Sequence, residues 1–205
     1  MCGIFFVKTS SRGNLITKEK IENIFEIHKE RGPDEKKYFF IDDCLMLHTR
    51  LAITNPRQGH QPMRSSSENL FMLFNGEIYN YKDLAKQYNL IKDDEYSDTD
   101  VLFKLIEEFG FINAIKKLRG MFAIVYYDLE NRKIFAARDH FGHKPLYFYK
   151  SKNTISFSST VKGLISFFDI GLDYSKILHL ISKQGKTCPS ETIFNSVGGL
   201  RAGEI

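Results

Sequence analysis

The sequence predicts an α+β fold in which antiparallel sheets pack on one another with helices outside. Two observations carry that reading. Short apolar and β-branched runs recur along the chain, joined by tight turns with few helical crossovers, a pattern that favours antiparallel pairing. Helical patterns cluster near the start, the middle and the end instead of alternating with the strands. A chain of 205 residues is long enough for one substantial domain, burying about 70% of the surface that its unfolded form exposes.

Gly3 to Lys8 (GIFFVK) reads as a buried strand at the very start. Thr17 is placed to cap a helix whose Ile21, Ile24, Phe25 and His28 follow helical spacing, and Arg31-Gly32-Pro33-Asp34 is a turn that ends it. Two strands follow, Lys37 to Ile41 and Cys44 to Arg50, joined through Asp42-Asp43. Asn55 to Ser67, rich in Pro, Gly, Gln and Ser, is expected to be a loop. Leu70 to Asn75 is a buried strand expected to halt at Gly76, with a short helix around Lys82 to Tyr88. Ser97 and Asp100 form an S-x-x-D capping box ahead of Val101, Leu102, Leu105, Ile106 and Phe109. Met121 to Asp128 and Lys133 to Arg138 read as one hairpin, Pro145 to Lys150 and Thr154 to Ser158 as another. Helices at about Val161 to Phe168 and Tyr174 to Lys183 follow, and then the Gly-rich stretch Ser196 to Ile205.

Composition excludes several classes. The net charge of +4 is spread along the chain, whereas a nucleic-acid footprint would cluster basic residues on one face at a pI above about 9. No window approaches the ~20 apolar residues of a membrane span. The three cysteines, Cys2, Cys44 and Cys188, show no C-x-x-C spacing, which argues against a zinc knuckle. An odd cysteine count without a signal peptide points to a reducing, cytoplasmic setting.

Four local features carry chemistry. Cys2 follows the initiator Met, whose excision is favoured before a small residue; the freed α-amine, with a reference pKa of about 7.7–8.0, would then sit on the same residue as a nucleophilic thiol. Taken alone, position two is better explained by a small apolar residue that happens to be second. Asn75-Gly76 at a strand end can aim an amide NH2 and a backbone N–H at one oxyanion, although Asn-Gly is also a common turn. Arg50 can clamp a carboxylate, and Asp98, inside the capping box, can pair with an ammonium or simply stabilise a helix start. Together they describe a site for a free amino acid with a scissile side-chain carbonyl, and glutamine fits.

The motifs Met1-Cys2-Gly3-Ile4, RGPD (31–34), HTRLAI (48–53), GHQPM (59–63), FNGEIYNY (74–81), SDTD (97–100), LRGMFAIVYYD (118–128) and RDHFGHKPLY (138–147) occur in order. In this set the chain resembles the glutaminase domain of class II glutamine amidotransferases, most closely that of glutamine-hydrolysing asparagine synthetase. The resemblance implies an N-terminal nucleophile hydrolase αββα sandwich, two antiparallel sheets between helical layers. It implies that Cys2 is nucleophile and, through its amine, base; that Asn75 and Gly76 form the oxyanion hole; that Arg50, with backbone help from Leu51 and Ile53, holds the substrate carboxylate; and that Glu77 and Asp98 line its amino end. It also implies that residues 1–170 are the glutaminase domain and that 171–205 are its end and the start of a linker to a synthetase domain absent from this chain.

No cofactor is expected here; ATP and Mg are expected in that synthetase domain, whose Ser-Gly-Gly-x-Asp-Ser loop does not occur in the sequence. Two departures from the family pattern, Ser158-Ser159-Thr160 in place of Ser-Ser-Glu and Leu200-Arg201-Ala202-Gly203 in place of Leu-Pro-Pro-Gly, are expected to lie away from the glutaminase motifs. The expected function is hydrolysis of glutamine to supply ammonia for asparagine synthesis. The alternatives are an amidotransferase acting on a sugar carboxylate and an inactive glutamine-sensing module. A homo-oligomer stays open; nucleic-acid and membrane partners are not expected. His140 and His143 have H-x-x-H spacing, better explained by a turn than by a metal, and His48 and His60 are expected to make structural hydrogen bonds.

Overall fold

The computed structural model describes residues 1–10, 15–52, 57–91, 95–185, 188 and 190–205. Strand β1 (Gly3–Thr9) opens the chain, followed by helix α1 (Lys18–His28) and the hairpin of β2 (Glu35–Ile41) and β3 (Cys44–Arg50). A short β4 (Met63–Arg64) precedes β5 (Leu70–Ile78), and then come α2 (Tyr81–Tyr88), α3 (Asp98–Phe109) and α4 (Phe111–Ile115). Hairpins β6 (Gly120–Asp128) with β7 (Lys133–Arg138) and β8 (Tyr147–Lys150) with β9 (Thr154–Ser158) lead to α5 (Val161–Phe168), α6 (Tyr174–Ser182) and β10 (Val197–Gly199). The pairings are antiparallel and form two sheets, β10-β8-β9-β1-β3-β2 and β4-β5-β6-β7.

Successive strand residues point to opposite faces, and this alternation sorts the core. Ile4 and Phe6 of β1 pack between the sheets against Phe71, Leu73, Val125 and Tyr127. Phe5 and Val7 face the other way, onto Ile21, Ile24 and Phe25 of α1 and Leu164 and Phe167 of α5. On the second sheet, Met72, Phe74, Phe122 and Ile124 face outward onto Val101, Leu102, Leu105 and Ile106 of α3. The layers are therefore helix, sheet, sheet, helix, the αββα sandwich expected. The capping box at α3 is present in both directions: Asp100 N–H donates to Ser97 Oγ at 3.3 Å and Ser97 N–H to Asp100 Oδ2 at 2.8 Å.

Some local expectations change. β5 continues through Gly76 to Ile78, paired with β6 all the way. A Cβ at Gly76 would lie 2.2 Å from the Met121 carbonyl, so glycine here lets two backbones close up and keeps the strand going. The described part of the expected loop contains β4, and α4 follows Gly110 at φ +73°. The Gly-rich end carries β10, which pairs with β8 through Val197–Tyr149, Gly198–Phe148 and Gly199–Tyr147.

Candidate active site

Gly3 pairs with Thr49, so the start of β1 lies beside the end of β3 and the residues flanking both strands meet. Cys2 is the residue before β1, and Leu51 is the residue after β3. Leu51 N–H donates to Cys2 Sγ at 3.4 Å, and the thiol donates to Leu51 C=O at 3.7 Å. From the turn after α1, Arg31 Nε donates to Cys2 C=O at 3.1 Å. That turn fits only because residue 32 is glycine: a Cβ there would lie 2.3 Å from the Thr49 carbonyl. Burial pushes the Cys2 thiol above its ordinary value; the Leu51 N–H and the Arg50 charge oppose this without cancelling it. With Met1 in place, burial thus favours the thiol over the thiolate.

Asn75 and Glu77 continue the face of β5 that carries Phe71 and Leu73 between the sheets. Asn75 is 1% exposed, and its Nδ2 is buried with no hydrogen-bond partner. Among the described residues it shares that condition with His28 Nδ1 and Arg31 Nη2. An unsatisfied buried donor costs about 1–3 kcal/mol and calls for an explanation.

Asp98 is the first residue of α3, just past the Ser97 cap. Its Oδ2 accepts the Ile78 N–H at 3.0 Å and its Oδ1 the Thr99 N–H at 2.9 Å, joining the helix start to the end of β5. Burial raises its pKa against the pull of those two donors. Arg50, the last residue of β3, is buried. It donates through Nη2 to Gln58 C=O, and its Nη1 lies 3.6 Å from Glu35 Oε2. Its charge is thus already shared with a carboxylate from β2.

Cys2, Arg50, Leu51, Asn75, Gly76, Glu77 and Asp98 all line one cleft. Ile53 lies outside the described residues. The same cleft is lined by Gln61, Thr99 and Lys144, which the sequence reading did not single out. Lys144 is 7% exposed, unusual for lysine. Its place is set by the two residues that open its motif. Asp139 is fully buried and accepts the N–H groups of Phe122, Phe141, His143 and Lys144 at 2.9–3.2 Å. Burial would raise that carboxyl, but the ring of donors prevails and holds it low. Arg138 donates to the carbonyls of Lys144, Leu200 and Gly142 at 2.8, 2.6 and 2.6 Å. A lysine directly after an Arg-Asp-anchored turn was the available signal.

Both departures expected to lie away from the motifs instead touch them: Ser159 Oγ accepts the Ile4 N–H at 3.0 Å, and Ser159 N–H donates to Ile4 C=O at 3.0 Å. Leu200 accepts from Arg138, and Gly203 N–H donates to Asp139 C=O at 2.8 Å. Thr160 caps α5 through Gly163 N–H at 3.1 Å and meets His28 Nε2 at 3.1 Å. His48 Nε2 bonds Phe74 C=O at 3.2 Å and His60 Nδ1 lies 2.9 Å from Glu35, structural contacts in both cases. His143 Nδ1 lies 3.3 Å from Asp139 Oδ1, and the described residues hold no group of three or more His, Cys, Asp or Glu placed to bind a metal ion.

A family profile for the glutamine amidotransferase domain matches residues 1–205. The chain belongs to that family. Among curated relatives, this amidotransferase domain is 34% identical to glutamine-hydrolyzing asparagine synthetase 2 of Oryza sativa subsp. japonica, over 80% of this chain and 28% of that one. It is 32% identical to glutamine-hydrolyzing asparagine synthetase 2 of Bacillus subtilis, over 81% of this chain and 22% of that one. The domain therefore spans 28% and 22% of the length of these relatives. Among solved structures, the glutamine phosphoribosylpyrophosphate amidotransferase of B. subtilis aligns with a TM-score of 0.59 at 18% identity, covering 81% of this chain and 43% of that one. A structure described as the allosteric regulatory enzyme of purine biosynthesis aligns with a TM-score of 0.61 at 19% identity, over 81% and 43%. These neighbours share the fold of this chain.

Proposed function

We propose that this domain hydrolyses the side-chain amide of glutamine to glutamate and ammonia, with Cys2 as nucleophile. The observation that carries the reading is the buried, unpartnered Nδ2 of Asn75 in the same cleft as the Cys2 thiol. Such a donor has no partner within the described protein and is satisfied when an oxyanion forms beside it, which is how binding becomes selective for the transition state.

With Met1 removed, the Cys2 amine takes the thiol proton and the thiolate adds to the glutamine δ-carbonyl. Asn75 Nδ2 and the Gly76 N–H receive the oxyanion. The amine returns its proton to the departing nitrogen, the C–N bond breaks, and ammonia leaves a thioester on Cys2. Water then cleaves the thioester, releasing glutamate and the thiol. Arg50 would add the substrate α-carboxylate to a guanidinium that Gln58 and Glu35 already hold in place. Asp98 and Glu77 would face the α-ammonium; a cation there favours the Asp98 carboxylate over its acid form. The Leu51 N–H is engaged by the Cys2 sulfur, so its service is to the nucleophile first.

In a longer protein like its relatives, the ammonia would be used for asparagine synthesis from aspartate, with ATP and Mg bound outside this chain. A cytoplasmic setting fits three free cysteines and the finding that no described helix is long and apolar enough to cross a membrane. The test is intact-mass analysis paired with a glutamine-to-glutamate assay on wild type and Cys2→Ala. The expected result is loss of Met1 and activity confined to wild type. A Met1-free wild type no faster than Cys2→Ala, or an active Cys2→Ala, overturns the reading.

A further inference from the structure

Asn75 can hold its amide in the cleft only if the peptide that carries it is fixed, and that peptide has unusual partners. In an extended strand a residue's N–H and C=O point to the same side. For Phe74 that side is not covered by a strand, because β4 meets β5 only at Met63–Met72 and Arg64–Phe71. The side chain of Gln61 takes the missing strand's place. Phe74 N–H donates to Gln61 Oε1 at 2.6 Å, and Gln61 Nε2 donates to Phe74 C=O at 2.9 Å. One primary amide thus reproduces both bonds of an antiparallel pair. His48 Nε2 donates to the same carbonyl at 3.2 Å. The carbonyl can only accept, so Nε2 carries the proton. Gln61, His48 and Phe74 are all buried, at 3%, 1% and 2% exposure. The Phe74 carbonyl and the Asn75 nitrogen belong to one planar peptide, so what holds the first orients the second.

We propose that Gln61, supported by His48, is a positioning residue that locks the Phe74–Asn75 peptide so that the Asn75 amide stays aimed at the reacting carbonyl. This rests on the reading of Asn75 as an oxyanion donor. Gln61 acts through Asn75 and leaves the charged groups that would grip the substrate's ends, Arg50 and Asp98, to their own partners. Misplacement of a catalytic group by about 1 Å can cost on the order of 100-fold in rate.

The test uses Met1-free protein carrying Gln61→Met or Gln61→Glu. Four quantities are measured: kcat and KM for glutamine, affinity for glutamate, and inhibition by glutamate γ-semialdehyde. That aldehyde adds the Cys2 thiol across its carbonyl to give a tetrahedral hemithioacetal that needs the same donors. For Gln61→Met the expected result is a fall in kcat of roughly 10–100-fold. Aldehyde affinity should fall in proportion, with KM and glutamate affinity within about threefold of wild type.

In Gln61→Glu the buried acid, when protonated, restores a donor to the Phe74 carbonyl, so its deficit against wild type should shrink as pH falls from 7 to 5. This second variant also serves if Gln61→Met fails to fold. Unchanged kcat overturns the proposal, as does a rise in KM with a parallel loss of glutamate affinity, which marks general collapse of the site. An active wild type with a normal Gln61→Met refutes this inference alone. A wild type with neither hydrolysis nor aldehyde binding refutes the glutaminase reading, and this inference with it.

Discussion

The Cys2 sulfur and the Leu51 main-chain nitrogen lie 3.4 Å apart across the joined ends of β1 and β3, and the N–H of one points at the thiol of the other. A single backbone donor stabilises a thiolate, yet burial of the sulfur outweighs it. In protein that retains Met1, alkylation of Cys2 by iodoacetamide, followed by mass spectrometry across pH, should therefore titrate above the ordinary cysteine value of about 8.5. A midpoint below 8 would contradict the balance of burial over hydrogen bonding.

Asn75→Ala separates function from stability. The substitution removes an unpaired buried donor, so thermal unfolding should move by less than an ordinary core truncation, with the relieved donor offsetting the lost packing. Glutaminase kcat should fall by about 10²–10³ with KM little changed. Equal losses in stability and rate would mean that the amide serves the fold.

Two buried histidines set an acid limit. Burial pushes both His28 and His48 down to about 4. Each ring is neutral in the folded chain above that value, while in the unfolded chain it takes a proton below about 6.5. The stability they contribute is complete above about 6.5 and is lost as pH falls towards 4. Urea unfolding should give a free energy lower at pH 5 than at pH 7 by on the order of 3 kcal/mol from these two rings. His28→Gln should remove part of that dependence; identical stability at the two pH values would refute it.

Arg138 and Lys144 should respond in opposite ways. Arg138→Met strips a charged donor from three carbonyls and should destabilise the domain by about 3 kcal/mol or more in chemical denaturation. Arg138→Lys should recover little, because one ammonium cannot span three acceptors as the guanidinium fork does. Lys144→Met removes a buried cation from the cleft wall and should leave stability unchanged or raised while lowering kcat/KM for glutamine. Instability in Lys144→Met with normal turnover would place Lys144 in the fold alone.

Strand alternation is written into the sequence wherever both faces are apolar, so β1, β3, β5 and β6 were legible, and with them the layered packing. The capping box of α3 was legible because its two residues are three apart. Gly76 was misread as a stop because glycine signals a turn locally; the reason it continues the strand, the Met121 carbonyl, lies 45 positions away. Cys2, Arg50, Asn75 and Asp98 could be grouped from chemistry and motif order. Gln61 could not, because a glutamine in a Pro-Gly-rich stretch carries no mark of the strand edge it completes. Lys144 had one local sign, the Arg-Asp pair that opens its motif, but its burial also rests on a chain segment some 60 residues on.

That distant segment has a mechanical meaning. Glu204 C=O accepts the Arg138 N–H at 3.0 Å, Gly203 N–H reaches Asp139 C=O, and the Arg138 guanidinium spans from Leu200 to Lys144. Force applied to the backbone near residue 204 would not dissipate in a loose tail. It would pass along this line of bonds to the turn at 138–144 and to the Lys144 main chain. The last described strand and the residues after it are therefore tied to the same turn that sets Lys144 in the cleft wall.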